Sequence, residues 1–409
     1  MKKILILILK FVGISHHDIY LLNSISHKNW IYKAFNPLDK KIPLQKFQYT
    51  KINQISDEDI SFCQRIINAY DKTQSNDNSK ENRSKEWSRI FNLHQKPLID
   101  CLNRKDPKEL AKLFSTFLRT QIVYGIDTGD LYNGSNWKTH SLKLLSDLTR
   151  LSEYLSISSA ESGQGEICHI FDETLDKIFL NLENELGKNF DFPKICGAYG
   201  VIINNKLLTL QSVEYIYAAI RLKKDLSRLS EINENKKLDI LEIGAGYGGF
   251  AYYIHNFLEK NFNSLSIIDL PIINTMQAYF LGKTLGYNNI ALYGEDDIHL
   301  PSKIKIYPST DYSNLGKVDI VFNQNSFAEI PIEESKKYLD WIIMNANYFF
   351  SYNHESLLKD RSMAVITVPE LTKLYKNLNL ISREISWMRP GYVHEIYKHL
   401  LNPWSKIFL

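Results

Sequence analysis

The segment Leu238-Asp-Ile-Leu-Glu-Ile-Gly-Ala-Gly-Tyr-Gly-Gly-Phe250 concentrates the residue types from which a ligand site is built. A short apolar run carries one carboxylate, Glu242, and then breaks into Gly244, Gly246, Gly248 and Gly249. Bare backbone at such a turn approaches a ligand closely, and the N–H groups of a following helix point at it. Gly244, Gly246 and Gly249 also fit G-x-G-x-x-G, the pattern of a dinucleotide turn. Glu242 weighs against that reading, because a carboxylate two residues before the first glycine repels a pyrophosphate. A ligand with an ammonium and no phosphate suits the turn better. S-adenosylmethionine is such a cofactor, and Glu242 can hold its ammonium directly or through water. Asp269 closes the next apolar run, Leu265-Ser-Ile-Ile268, where it suits a ribose hydroxyl pair. Nicotinamide sites use the same device, so Asp269 does not discriminate between the two cofactors.

Strand, glycine turn and helix open a doubly wound sheet, and the helix shows in Phe250, Tyr253, Ile254, Phe257 and Leu258. Strand and helix signals then alternate. Val318-Asp-Ile-Val-Phe322 reads as a strand leading into Asn323-Gln-Asn-Ser-Phe-Ala-Glu329, with a helix from about 333 to 345. Tyr348–Tyr352 and Met363–Val368 compete for the next strand. Leu380–Trp387 and Val393–Leu400 are joined so tightly that they must pair antiparallel. A parallel sheet finished by an antiparallel strand is the usual ending of Rossmann-type methyltransferases.

Upstream the pattern is mainly helical. Residues 71–89 are nearly devoid of apolar side chains and read as an exposed connection into a helix at Trp87, Ile90 and Phe91. Leu110, Leu113, Phe114, Phe117 and Leu118 form one apolar face; Leu142, Leu145, Leu148, Leu151 and Leu155 form another. Residues 125–136 are a turn-rich loop, a plain connection or a lid. Val201–Ile203, Asn204-Asn205 and Leu207-Leu208 spell a hairpin, followed by a helix striped with Val213, Ile216, Tyr217 and Ile220. The expected organisation is a helical N-terminal domain over 1–190, a hairpin-helix bridge over 191–236, and a catalytic domain over 237–409. The N-terminal domain would cap the substrate or dimerise the chain. The fold class is α/β: a Rossmann-like seven-stranded sheet with its last strand antiparallel.

These motifs resemble the bacterial sugar O-methyltransferases, a Rossmann-type family that uses S-adenosylmethionine. The resemblance is carried by Glu242–Tyr253, Ile268-Asp-Leu-Pro271 with Gln277–Phe280, and Asn323–Glu329. Tyr348–Asn353, His394-Glu-Ile396, Gly197–Val201 and Tyr215–Ala218 add to it. It covers roughly 190–400 and reaches the helical part only loosely. It implies methyl transfer to a hydroxyl of a sugar or sugar nucleotide in polysaccharide or natural-product biosynthesis. His354 stands where the family pattern leads one to expect a basic residue, often Arg.

Methyl transfer to a hydroxyl requires alignment of two partners and removal of one proton. An antiparallel last strand begins at the sheet edge where parallel strands end, so His394 lies on the active side. It is the first candidate base, against a packed strand histidine; His354 is the second. Glu329 is a further base or a helix-entry residue. Glu395 points to the opposite face and orients a neighbour or pairs with a cation, and His399 is structural. The expected cofactor contacts are Glu242, Gly244, Ala245, Gly246, Tyr247, Gly248, Asp269, Leu270 and Asn323. Asn325, Ser326, Trp387 and Arg389 are expected at the substrate, with loop capping and surface pairing as the competing readings. Arg389 would hold a phosphate or carboxylate. Asp296 and Asp297 read as a solvated acidic turn, with contact to the adenosine as the competing reading.

The chain has 409 residues, room for two or three domains. Lys plus Arg (49) against Asp plus Glu (46) gives +3, which argues against nucleic-acid binding by a broad basic footprint. Cys63, Cys101, Cys168 and Cys196 form no C-x-x-C pair, so a reducing cytoplasm is the default. The run Ile4–Leu9 is too short for a signal core and reads as a packed strand or helix. No run is long enough to span a bilayer, and a homo-oligomer is open. No His pair has ligand spacing, so no metal is indicated. A magnesium ion held by carboxylates, amides and a sugar diol would leave little local signature. The alternatives are N- or O-methylation of a non-sugar metabolite, an NAD-dependent oxidoreductase, and an inactive scaffold.

Overall fold

The computed structural model describes residues 44–74, 83–127, 137–157, 175–186, 190–229, 237–258, 261–300, 304–312, 315–355 and 366–399. Among these, the helices in chain order are α1 (Asp57–Gln74), α2 (Lys85–Leu93), α3 (Lys96–Arg104), α4 (Pro107–Phe114), α5 (Trp137–Tyr154) and α6 (Leu175–Leu186). They continue as α7 (Leu210–Arg228), α8 (Gly249–Leu258), α9 (Pro271–Leu285), α10 (Ile332–Asn345) and α11 (Val368–Thr372). The strands are β1 (Gln48–Tyr49), β2 (Tyr199–Ile203), β3 (Lys206–Leu208), β4 (Leu238–Ile243), β5 (Phe262–Asp269) and β6 (Ile290–Leu292). Then follow β7 (Ile304–Pro308), β8 (Val318–Gln324), β9 (Ala346–His354), β10 (Leu378–Ile385) and β11 (Tyr392–His399).

The chain divides into two compact units interleaved along the sequence. One takes the described residues within 1–54, 115–224 and 387–390; the other takes those within 55–114, 225–386 and 391–409. The linear scheme with boundaries at 190 and 236 differs from this division, because helices α1–α4 belong with the sheet. Asp59 shows why. It is fully buried and accepts hydrogen bonds from Lys283 at 2.7 and 2.9 Å, Tyr279 at 3.3 Å, Tyr287, and the Ser56 backbone and hydroxyl at 2.8 Å each. Burial raises its carboxyl, but the bonds from Lys283, Tyr287 and Ser56 outweigh burial and hold it at about 2. Asp59→Ala leaves Lys283 and two phenols without their acceptor, so urea denaturation is expected to show a loss of about 3–5 kcal/mol. Because the folded value lies below the unfolded 3.8, this contribution is present above pH 3.8 and is lost as pH falls towards 2.

In the sheet-bearing unit eight strands run in the order β10-β11-β9-β8-β4-β5-β7-β6. All pairs are parallel except those made by β11, which is antiparallel to both β9 and β10. The α/β class and the antiparallel finish match expectation, whereas the expected seven strands are eight. The addition is β7, whose Ile304, Ile306 and Tyr307 are buried and which inserts between β5 and β6. β4 reads as a near-continuous apolar run because both its faces are covered. Ala346–His354 takes the strand position beside β8. Residues 363–365 of its competitor lie outside the described residues, and Val368 opens α11 behind a Thr367–Glu370 capping box.

The other unit holds a three-stranded antiparallel sheet, β1-β2-β3. The expected hairpin is present, with Asn204 and Asn205 both at positive φ (47° and 63°), the twist that a two-residue turn needs. The apolar face expected over 110–118 is broken. α4 ends at Phe114, and Phe117 and Leu118 form a separate 3₁₀ turn whose Leu118 N–H donates to the Cys196 carbonyl at 3.0 Å. Expectations for 4–9 and 128–136 lie outside the described residues. Among the described residues, Cys63, Cys101 and Cys196 are buried thiols. No helix there is long and apolar enough to cross a membrane.

Candidate cofactor and acceptor site

β4 has β5 on one side and β8 on the other, so successive crossovers leave in opposite directions and open a crevice outside its carboxyl end. The glycine turn sits there. The Gly244 N–H donates to the Ile268 carbonyl at 2.8 Å, which ties the turn to β5. Gly244 has φ +72°, and a Cβ on it would lie 2.1 Å from the Ser326 hydroxyl and 2.8 Å from Ser326 Cβ. Gly246 has φ +58°, and its N–H donates to Asp269 Oδ2 at 3.1 Å. Tyr247 and Ala245 are buried beneath the turn, the Tyr247 ring meeting Phe280 edge-on at 5.0 Å.

Two carboxyls converge at this turn. Asp269 also accepts from the Leu270 N–H at 2.7 Å and from Gln277 at 2.8 Å. Burial still pushes it up from 3.8 to about 7. Glu242 is 2% exposed, and its Oε2 has no hydrogen-bond partner. Burial, and then the neighbouring Asp269, push Glu242 up from 4.5 to about 8. Two acids forced upward with one oxygen unsatisfied form a site that gains from an incoming cation. A pyrophosphate would face both.

The register extends this edge into a row. Asp269 on β5, Gly244 after β4, Gln324 on β8, Tyr352 on β9 and His394 on β11 stand side by side. At the usual strand spacing the row spans roughly 19 Å. His394 is 4% exposed and stacks on the Tyr352 ring, centroids 4.0 Å apart. Phe322 meets that ring edge-on at 4.8 Å, and the Tyr352 hydroxyl donates to Asp225 at 3.0 Å. Glu395, one residue on, pairs with Arg383 on the opposite face, and His399 lies at the far end of β11.

Asn323 is buried and fully engaged. Its Nδ2 donates to the Ile243 carbonyl at 2.7 Å and to the Ser326 hydroxyl at 2.6 Å. Its Oδ1 accepts from the Phe327 N–H at 3.1 Å and from Asn353 Nδ2 at 2.8 Å. Asn323 therefore pins β4, β9 and the loop after β8. Asn325 has φ +64°, and its N–H donates to the Tyr352 carbonyl at 3.0 Å. The Glu329 N–H caps Ser326 at 2.9 Å at the end of a 3₁₀ turn. His354 ends β9 against the Tyr392 ring at 5.7 Å. Trp387 and Arg389 fall in the other unit, where the Trp387 N–H donates to the Tyr217 hydroxyl at 3.3 Å and Arg389 meets Glu214 at 3.5 Å.

Several groups at the sheet edge escaped the sequence reading. Gln324 Oε1, Asn353 Oδ1, Gln277 Oε1, Ser309 Oγ and Thr310 Oγ1 are buried without a partner. Ser309 follows β7, and its N–H donates to the Asp269 carbonyl at 2.7 Å. Asp296 and Asp297, read from sequence as a solvated acidic turn, line an open cleft of about 580 Å³ with Arg65 and Lys72. Among the described residues no cluster of His, Cys, Asp and Glu could hold a metal ion.

No family model matches the sequence, and no curated protein matches it. Among solved structures it is similar to magnesium protoporphyrin IX methyltransferase of Synechocystis with bound S-adenosylhomocysteine. The identity is 11%, over 46% of this chain and 87% of that one, with a TM-score of 0.33. An O-methyltransferase family protein of Burkholderia thailandensis is 8% identical over 47% and 60% of the two chains, TM-score 0.32. TrmK of M. capricolum, in complex with S-adenosylhomocysteine, is 10% identical over 43% and 67%, TM-score 0.29. Likenesses this distant leave the reading to the site's own geometry.

Proposed function

We propose that this protein is an S-adenosylmethionine-dependent methyltransferase that acts on a hydroxyl of a small polar acceptor, a sugar or sugar nucleotide. The observation that carries the reading is the buried Glu242 carboxyl, one oxygen unsatisfied, beside Asp269 at a bare glycine turn. The residues fit the cofactor: Glu242 and the turn hold its ammonium, and Asp269, fixed by Gly246, Leu270 and Gln277, takes the ribose. When bound, the cofactor supplies a methyl carbon open to in-line attack. His394 takes the proton from the acceptor hydroxyl, and Gln324, between the turn and Tyr352, offers a neutral acceptor for a hydroxyl or the ammonium. The sugar assignment rests on the family resemblance.

Calorimetry tests the cofactor. S-adenosylmethionine and S-adenosylhomocysteine are expected to bind, and NADH is not; NADH binding with S-adenosylmethionine excluded would overturn the reading. The pH dependence is a second handle. Glu242 is raised above its unfolded value, so the unliganded protein loses stability as pH climbs from 4.5 through about 8. A cation favours the ionised form, so S-adenosylmethionine should bind more tightly as pH rises toward 8, with proton release. Glu242→Gln should flatten that slope. A radiolabelled methyl assay over nucleotide sugars then separates the sugar reading from methylation of another metabolite.

A further inference from the structure

Gln277 is an amide that the packing of α9 does not call for. The other buried residues of that helix are apolar, small or carry one hydroxyl, and Gln277 itself is fully buried. Its Nε2 donates to Asp269 Oδ2 at 2.8 Å, while its Oε1 is buried with no hydrogen-bond partner. Turning the amide over would set Oε1 against a carboxylate oxygen, so the acceptor end stays unmet. A methionine or leucine would fill similar space without that cost, so packing alone does not account for the residue. What the amide supplies is one donor to Asp269. The other donors are backbone N–H groups: Gly246 at 3.1 Å, Leu270 at 2.7 Å, and Ala245. Gln277 is the side chain among them. Burial works against all four and lifts Asp269 to about 7, so the carboxyl sits near the balance point between its charged and neutral forms. Glu242 on β4 and Tyr338 on α10 interact electrostatically with Asp269. Burial keeps the phenol neutral at working pH, which leaves Glu242 as the competitor for the negative charge.

We infer that Gln277 is a positioning residue of the cofactor site, holding Asp269 ionised and aimed at the ribose hydroxyls. The inference rests on the S-adenosylmethionine reading for naming the ribose, but the bond to Asp269 stands on geometry alone. An ionised carboxylate accepts freely from both hydroxyls of a diol, whereas a carboxylic acid gives up one acceptor position to its proton. Removing the Gln277 donor favours the neutral acid, and a neutral Asp269 no longer opposes the charge on Glu242. The negative charge at the turn then passes from the ribose side to the ammonium side. The amide thereby divides the work between the two acids.

The test uses the full chain and methylthioadenosine, which carries the ribose but lacks the amino-acid part, so its affinity reports on Asp269 rather than Glu242. Wild-type affinity should rise as pH climbs through about 7, the direction for a group that holds the ligand in its ionised form. In Gln277→Met that curve should move up by about one to two in pH, the effect of losing one hydrogen bond to a charged group. Calorimetry should therefore read a loss of about 5- to 50-fold at pH 7 that shrinks to about twofold or less at pH 9. Unchanged affinity would overturn the inference, as would an equal loss at both pH values, the mark of an amide that only props the pocket. Gln277→Leu is the second variant should the first not fold, and failure of both to fold would also overturn it. If the wild type binds neither methylthioadenosine nor S-adenosylhomocysteine, the cofactor reading falls. The hold of Gln277 on Asp269 is then read by NMR in the unliganded protein, labelled with carbon-13 at its aspartate carboxyls. Asp269, assigned through Asp269→Asn, should titrate about one to two in pH higher in Gln277→Met, and identical titration in the two proteins would overturn the inference.

Discussion

Gly244→Ala is expected to weaken S-adenosylhomocysteine binding by on the order of 100-fold or more while the protein remains folded. Two costs combine. A left-handed φ of +72° disfavours any residue with a Cβ by about 1–2 kcal/mol. The new methyl would also stand 2.1 Å from Ser326 Oγ and 2.8 Å from Ser326 Cβ, an overlap worth about 1–3 kcal/mol. The hydroxyl can rotate away, but Ser326 Cβ is fixed to the loop that Asn323 pins to β4. The strain is relieved by moving the turn, and that displaces the backbone N–H groups and Asp269, which Gly246 holds. Ser326→Gly in the same chain removes the overlap and leaves the φ cost, so the double variant should recover part of the affinity. Circular dichroism checks the fold and calorimetry reads the binding. Undiminished affinity in the single variant would mean that the ligand does not sit on this turn.

The cofactor half of the site was legible in sequence because its signals are local. Glu242, the glycines and Asp269 lie at the ends of two apolar runs, and burial on both faces of a parallel sheet makes such runs stand out. The antiparallel end was legible for a similar reason: six residues between β10 and β11 allow no crossover. β7 escaped because five residues interrupted by Lys305 and closed by Pro308 carry too little period to register. With β7 went Ser309 and Thr310. The interleaving of the two units was also out of reach, since Asp59 meets Lys283 only through packing more than two hundred residues apart in the chain.

His394→Ala is expected to lower turnover by about 10²- to 10⁴-fold with S-adenosylhomocysteine affinity unchanged, the range for removal of a general base. The packing around His394 makes alanine an impure test. Its ring stacks on Tyr352 at 4.0 Å, so truncation leaves a gap against a residue that also contacts Phe322 and bonds Asp225. His394→Phe keeps an aromatic ring on Tyr352 and removes only the titratable nitrogens, so it separates chemistry from support. If His394 takes the proton, both variants lose turnover alike, and the fall in rate at acid pH that a neutral imidazole imposes disappears with it. If its role is to brace Tyr352, phenylalanine restores the rate and alanine does not. His399→Ala is the matched control, the last residue of the same strand and at the opposite end of the sheet, and it should leave turnover near wild type. A His394→Phe enzyme with normal turnover would move the base elsewhere along the row, with His354 next in line at the end of β9.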